Sequence, residues 1–319
     1  MTDDERARDH GKHRAAESLH RRADAIKSRT QRIVDSRKLS FPKAVVQRFF
    51  GIGGTRQAML VAFNMFIGFF PLVIIGLALV ARRHPQFSVG ERLVRIVGLH
   101  GRTAVIVRNA FPPSDKVLLG ASLITVVSLL LSGLDVAGGV SGAFERAWNV
   151  PPRKGWQSPV RGLVWFVLVM AQFMLIIVVT RSRGRSFLLQ HLIGLPLVFL
   201  IVYRFWLLTP RLLLNKPLRR RELRPAALVG VAGTAVLALF TQFLLPGWFN
   251  SYTQGFGAVG VAFAVASFLY VVGIVWILIV VIGAVIWERH APLDAIVEFN
   301  TAVEDQAESE IAVAGDDPA

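Results

Sequence analysis

Residues 225–287 contain no charged side chain, and this stretch constrains the chain more than any other feature. A helix needs about 20 apolar residues to cross the hydrocarbon core of a bilayer, so the stretch is long enough for two crossings. Residues 117–134 and 162–180 are also free of charge. The chain is 53% apolar and 18% charged, whereas a soluble domain is about 45–50% apolar and about 25% charged. These runs predict a polytopic membrane protein rather than a soluble enzyme.

Hydropathy predicts an all-α fold in which six helices cross the membrane. The spans are expected at about residues 59–80, 117–140, 162–180, 187–208, 226–246 and 257–287. They form a membrane domain, residues 41–290, between a charged cytoplasmic N-terminal segment, 1–40, and an acidic tail, 291–319. The tail has no Lys or Arg and is poorly hydrophobic after Phe299, so we expect it to be disordered.

Two shorter helices are predicted before the first span. A thin i, i+4, i+7 apolar seam predicts a cytosolic helix from about Ala15 to Arg37, either solvated or in a short coiled-coil contact. Ser40 then suits an N-cap and Pro42 a first turn, and apolar residues recur at helical spacing up to Ile52. This segment is too short to span a bilayer, so it is predicted to be an interfacial amphipathic helix.

Basic residues are distributed unequally between the two ends of the predicted spans. One side would carry 25 Lys and Arg residues and the other 10. Because Lys and Arg concentrate in cytoplasmic connectors, both termini are expected in the cytoplasm.

Cysteine and the common catalytic motifs are missing from the sequence. The chain has no cysteine, which excludes disulfides, thiolate nucleophiles and iron–sulfur clusters. Its seven histidines form no HxH or HExxH pattern, so no metal or other cofactor is expected. No GxSxG elbow, SxxK motif or phosphate-binding P-loop is present. We therefore expect no enzymatic activity.

Polar side chains inside the predicted spans are functional candidates, because burying them in hydrocarbon is costly. Each alternatively forms an interhelical hydrogen bond worth about 0.6 kcal/mol. Asp135 and Glu145, the acids of the second span and its extension, either take protons, pair with basic groups or lie at the interface without a function. The uncharged candidates are Asn64, Gln172, Gln190, His191 and Gln242.

Small residues recur four positions apart in two of the predicted spans. This spacing lets helices approach closely, and the alternative is room for a cavity or a lipid chain. The pairs are Gly133 with Ala137, Gly138 with Gly142, and Gly260 with Ala264.

Basic residues lie in the second half of the fourth predicted span and in the connector that follows it. Arg204 is expected near the cytoplasmic boundary, where its guanidinium would hold a lipid phosphate through two hydrogen bonds. The alternative is a boundary anchor that snorkels to the interface. Anionic or phosphate-bearing membrane lipids are the expected partners. Nucleic acid is not expected, because no aromatics interleave with the basic run, and a homo-oligomer is left open. The candidate phosphate contacts are Arg204, Arg211, Lys216, Arg219, Arg220 and Arg221.

Short motifs occur in a fixed order through residues 40–290. They are AFNMFIGFFPL at Ala62–Leu72, GAFERAWNV at Gly142–Val150, VYRF at Val202–Phe205, FGAVG at Phe256–Gly260, and finally Gly283, Ala284 and Glu288. Together they resemble the YihY/BrkB family of bacterial inner-membrane proteins, once described as ribonuclease BN and including the YhjD-type proteins. Asn64 departs from the tyrosine usual in that family.

The resemblance implies a transport-like protein with six helices in the bacterial plasma membrane. The YhjD-type branch is linked to movement of lipid A precursors, so we expect a transporter or flippase of a lipid or lipid-linked envelope precursor. The alternative is a non-transporting membrane scaffold or regulator that acts through its charged tails. A ribonuclease is not expected, because the chain lacks a histidine-rich two-metal site.

Overall fold

The computed structural model describes residues 24–35, 37, 40–83, 91, 94–95, 100–110, 123–152, 157–181, 193–214 and 220–315. Regular structure within these ranges is entirely helical, so the predicted all-α class is confirmed. In chain order the helices are α1 (24–35), α2 (Phe41–Gly51), α3 (Gly54–Arg83), α4 (Gly101–Ala110), α5 (Leu123–Trp148), α6 (Gln157–Arg181), α7 (Leu195–Leu213), α8 (Arg220–Phe243), α9 (Leu245–His290) and α10 (Leu293–Gly315).

Six described helices are long and apolar enough to cross a membrane, which confirms the six predicted spans. Two spans extend at least five residues beyond their predicted C-terminal ends. The fourth span continues to Leu213, because Pro210 is accommodated in the last turn of α7. The second continues to Trp148, because the glycine pair at 138–139 does not interrupt α5. The six are Gly54–Gly76, Leu123–Trp148, Gln157–Ile176, Leu195–Leu213, Leu223–Phe243 and Val259–His290.

The central helix of the bundle is α9, which packs against α3, α5 and α8 and also meets α2 and α4. Its side chains Ile277 and Val281 are completely buried. Where α9 crosses α3, a Cβ atom on Gly273 would lie 2.5 Å from the carbonyl oxygen of Ala58. Only glycine therefore lets the two backbones approach this closely.

Three tryptophans tie α9 to α6 and α7. The ring of Trp276 lies edge-on to Trp165 at 5.9 Å and to Trp206 at 6.3 Å between centroids. The indole N–H of Trp165 donates to Thr209 Oγ1 at 3.2 Å, and that of Trp206 donates to Thr234 Oγ1 at 3.1 Å. Each buried N–H thus has a partner on the next helix, which stabilises the order α6, α7, α8 around α9.

A sharp reversal divides α9 at Gly257, whose φ of 60° and ψ of −132° are open to glycine but strained for other residues. The segment before it folds back, so that Ser267 Oγ lies 3.4 Å from the hydroxyl of Tyr252. Gly260 contacts the carbonyl of Tyr252, which explains the predicted small-residue pair at 260 and 264. The last span therefore begins at a helical hairpin.

The amphipathic helix predicted before the first span is present as α2. Its residues Ala44, Val45 and Phe49 are buried against the protein, whereas Val46 and Phe50 are exposed. Its position in a membrane interface remains a prediction.

The two ends of the described chain meet at one end of the bundle, called here the terminal end. Asn300 of α10 donates a hydrogen bond to Thr30 Oγ1 of α1 at 3.2 Å, and Arg29 pairs with Glu304 at 3.2 Å. Arg37 donates to the carbonyl oxygens of Glu288 and Ala291. Both described termini therefore lie on the same side, as an even number of spans requires.

The prediction of a disordered C-terminal tail is wrong for residues 293–315, which form α10. Ile296, Asn300 and Val303 recur at i, i+4 and i+7 and are each 3% exposed or less, so they form one packed face. The low average hydrophobicity of the segment concealed this narrow seam. At the N-terminal end of the described chain, α1 confirms part of the helix predicted at residues 15–37. The first residues of that predicted helix lie outside the described ranges.

Candidate functional site

Arg204 is exposed and lies on α7 nine residues before Leu213, where the helix ends at the extended residue Leu214. At about 1.5 Å per residue, this places it about 14 Å from the C-terminal end of the fourth span. The expectation that Arg204 lies near the boundary stays a prediction, although Arg204 is farther from the end of α7 than expected. It assumed that the span ends near residue 208, whereas α7 continues for another turn and a half.

The outer face of α7 consists of Leu197, Leu200, Arg204, Leu208 and Arg211. The three leucines are each at least 40% exposed, so this face is open and mostly apolar. Arg211 follows Arg204 by seven residues, which is nearly two full helical turns or about 10.5 Å. The two arginines therefore lie one above the other, with Arg211 half-buried and nearer the terminal end. No hydrogen bond or ion pair joins Arg204 to another described residue.

In the part of the chain that the structure describes, no other predicted phosphate contact lies on this face of α7. Lys216 and Arg219 lie outside the described residues, as do the intramembrane candidates Gln190 and His191. Only the backbone of Arg220 and Arg221 is described, in the first turn of α8.

The remaining intramembrane candidates lie on separate helices. Asn64 on α3 is half-buried, and its main-chain carbonyl oxygen accepts a hydrogen bond from the hydroxyl group of Ser132 on α5. Gln172 on α6 has a buried side-chain oxygen without a hydrogen-bond partner. Gln242 on α8 is exposed. These contacts do not bring the three amides into a common site.

A polar cavity of about 220 Å³ lies between α5, α6 and the end of α7, and we call it the α5–α7 cavity. Asp135 and Arg161 line it, together with the hydroxyl groups of Ser141 and Ser158. No ion pair joins the carboxylate of Asp135 to the guanidinium of Arg161. Gly138 also lines the cavity, and a Cβ atom there would have no neighbour within 4 Å. Small residues were predicted either to let helices approach closely or to leave room for a cavity, and Gly138 fits the second alternative.

Contacts between α5 and α6 fix the depth of the cavity. Gly133 packs against Phe166, and Gly162 lies opposite Ala137, so the antiparallel helices keep one register. In this register Asp135 is level with Val164, which is seven residues inside α6. Asp135 is therefore level with a position about 10 Å along α6 from Gln157, its first residue at the terminal end, and two residues after the uncharged run begins at Gly162. Arg161 is level with Gly138, about 4.5 Å nearer that end.

Ser141 closes the cavity towards the terminal end. Its hydroxyl oxygen lies 3.1 Å from Glu145 Oε1 and 3.1 Å from the carbonyl oxygen of Leu213. This contact holds α5 against the end of α7. Sequence reasoning noticed Asp135 and Gly138 but not Ser141, Ser158 or Arg161. One sequence feature could have indicated Arg161: its charge lies directly before the small residue Gly162. The third span was expected to start only at residue 162, so Arg161 was assigned to the connector.

A metal centre finds no support in the part of the chain that the structure describes. No three of its His, Asp and Glu side chains come together as metal ligands would.

A family model described as virulence factor BrkB matches residues 45–297 of this chain. The chain has no match among curated proteins and none among solved structures. The matched region contains all six apolar helices, the outer face of α7 and the α5–α7 cavity.

Proposed function

Because the chain belongs to the BrkB family of multi-pass membrane proteins, we propose that it carries a phosphate-bearing lipid between the two leaflets of the bacterial inner membrane. The lipid headgroup would follow the outer face of α7, and the acyl chains would stay in the bilayer. The observation that carries this proposal is the exposure of Arg204 within the fourth span, about 14 Å from the C-terminal end of that span.

An arginine at this depth is costly unless it binds something. Arginine at the centre of a membrane helix costs about 2.5–3.5 kcal/mol on insertion scales. Arg204 lies about 14 Å from the C-terminal end of α7, which is further than one arginine side chain extends. A boundary anchor does not need to sit so deep. A lipid phosphate drawn to Arg204 would neutralise its charge and offset part of this cost.

The spacing of the two arginines supports stepwise movement. Arg211 lies about 10.5 Å closer to the terminal end than Arg204, so a phosphate can pass from one to the other over about a third of the hydrocarbon core. The planar guanidinium holds phosphate through two parallel hydrogen bonds, which lysine cannot reproduce. Neither group is a nucleophile, so the proposal is transport and not catalysis. In the proposed orientation the terminal end faces the cytoplasm, where lipid precursors are made available.

The test is lipid movement in liposomes that contain the purified full chain. A fluorescent phospholipid is reduced by dithionite only in the outer leaflet, so the rate of further loss reports movement from the inner leaflet. We expect Arg204→Lys to slow this rate about tenfold, since a lost charge-assisted hydrogen bond costs about 1.5 kcal/mol. The matched control is Arg56→Lys, because Arg56 is also exposed but lies at the first turn of α3.

Two results would contradict the proposal. Equal rates for the parent protein and Arg204→Lys would leave Arg204 as an anchor. A parent protein that moves no lipid above empty liposomes would favour the scaffold or regulator instead. Size-exclusion chromatography of each variant before reconstitution checks that folding is unchanged.

A further inference from the structure

We propose that the α5–α7 cavity binds a headgroup that carries both an ammonium group and a phosphate, with Asp135 as partner of the ammonium and Arg161 as partner of the phosphate. The proposal rests on the proposed function, because it names the class of lipid that would be offered to Arg204. Phosphatidylethanolamine has this chemistry, whereas phosphatidylglycerol carries the phosphate without the amine.

The charges that line the cavity are opposite but do not neutralise each other. A carboxylate and a guanidinium line the same cavity, yet no ion pair joins them. Asp135 lies within the second span, level with Val164 of α6, where a carboxylate without a partner is costly. A ligand that brings one positive and one negative group would satisfy both side chains at once. A purely anionic ligand would leave Asp135 without a partner and would be repelled by it.

The dimensions of the cavity fit a headgroup of this kind. Along the helix axis, Asp135 and the level of Arg161 are about 4.5 Å apart, similar to the two-carbon link between phosphate and ammonium in an aminoethyl phosphate. The volume of about 220 Å³ is several times the share of one water in the liquid, about 30 Å³. Ser158 supplies a further hydroxyl for the phosphate oxygens. Gly138 adds no side chain to the wall, so the space stays open.

The position of the cavity connects it to the outer face of α7. Leu212 and Leu213 of α7 form part of its wall, and Arg211 directly precedes them. A headgroup released from Arg161 therefore has Arg211, and then Arg204, as the next guanidinium groups along the same helix. In this arrangement the cavity selects the lipid before the arginines of α7 move it.

Binding is tested with the purified full chain in detergent micelles, titrated with short-chain phosphatidylethanolamine or phosphatidylglycerol. We expect the parent protein to bind the amine-bearing lipid about tenfold more tightly, as one charge-assisted contact implies. Asp135→Asn should remove this preference, because it weakens binding of phosphatidylethanolamine and relieves the repulsion of phosphatidylglycerol. Arg161→Gln should weaken binding of both lipids. Equal affinity of the parent for the two lipids, or a preference that survives Asp135→Asn, would overturn the proposal.

Filling the cavity gives a second, independent variant that changes no charge. Gly138→Leu places a side chain in the open space and should weaken binding of phosphatidylethanolamine about tenfold. The matched control is Gly76→Leu, because Gly76 also has no neighbour within 4 Å of a Cβ atom but lies on α3, away from the cavity. Equal losses for both variants would overturn the assignment of the site.

Free glycerophosphoethanolamine distinguishes a lipid from a soluble ligand with the same headgroup. We expect it to compete only at much higher concentration, because it lacks acyl chains. Competition at the same concentration as the lipid would overturn the assignment to a lipid. These equilibrium measurements are separate from lipid movement. A retained lipid preference without movement would reject the proposed function, whereas movement without the preference would reject the cavity site.

Discussion

Arg48 of α2 forms an ion pair with Glu288, the third-last residue of α9, although 240 positions separate the two in the chain. Glu288 is 5% exposed at its side chain and Arg48 is 19% exposed, so the pair is shielded from solvent. Arg37 also donates to the carbonyl oxygen of Glu288. The segment before the first span is thereby fixed to the end of the last span.

Replacing Glu288 should loosen this contact between the two ends of the membrane domain. We expect Glu288→Gln to destabilise the protein by about 1.5–3 kcal/mol, because Arg48 would lose its charged hydrogen-bond partner. Thermal unfolding in detergent measures the change as a lower Tm. The charge exchange Arg48→Glu with Glu288→Arg should restore part of the lost stability. A Tm unchanged by Glu288→Gln would show that the ion pair contributes nothing measurable.

Thr209 should stabilise the tryptophan contacts between α6, α7 and α9. Its hydroxyl is completely buried and accepts the indole N–H of Trp165. Thr209→Val keeps the shape but leaves that N–H without a partner, so we expect a loss of about 1–3 kcal/mol, measured as a lower Tm. Thr241→Val is the control, because Thr241 is exposed and bonds only within its own helix. Equal effects of the two variants would contradict this role.

The number and order of the spans are predictable from sequence, because a helix of about 20 apolar residues without charge is most stable across a membrane. Helix ends are less predictable, as Pro210 and Gly138 show. Both usually end or weaken a helix, yet both are accommodated within helices of this bundle. The distance of Arg204 from the end of α7 was underestimated for this reason. The helix continues about one and a half turns beyond the predicted end of the span near residue 208.

The α5–α7 cavity was harder to predict, because its residues come from three helices. Asp135 and Arg161 share a cavity only through the register in which Gly133 meets Phe166 and Gly162 meets Ala137. That register depends on packing and is not visible in the spacing of either helix alone. The order of α10 was missed for a related reason. Two buried apolar side chains, Ile296 and Val303, hold an acidic segment whose average composition is typical of disorder.

The proposed orientation predicts which introduced cysteines are accessible from outside the cell membrane. The native chain has no cysteine, so single substitutions are labelled without background. Gln254→Cys lies in the exposed part of the hairpin before Gly257, and Ser28→Cys lies on the exposed side of α1. An impermeant maleimide added to spheroplasts should label only Gln254→Cys, whereas lysed cells should show both labelled. Labelling of only Ser28→Cys in spheroplasts would reverse the orientation.

A disulfide between α1 and α10 tests whether the acidic C-terminal segment is folded against the N-terminal helix. Asn300 and Thr30 meet through a 3.2 Å hydrogen bond between their side chains. The double variant Thr30→Cys with Asn300→Cys should therefore form an intramolecular crosslink under mild oxidation, seen as a mobility shift on a non-reducing gel.

Thr30→Cys with Thr301→Cys is the matched control. Residue 301 is turned about 100° around α10, and its hydroxyl bonds to Val297 of its own helix. Similar crosslinking of both pairs would indicate a mobile tail and contradict the packed α10. Selective crosslinking of residue 300 would show that the face containing Ile296 and Val303 holds α10 in place.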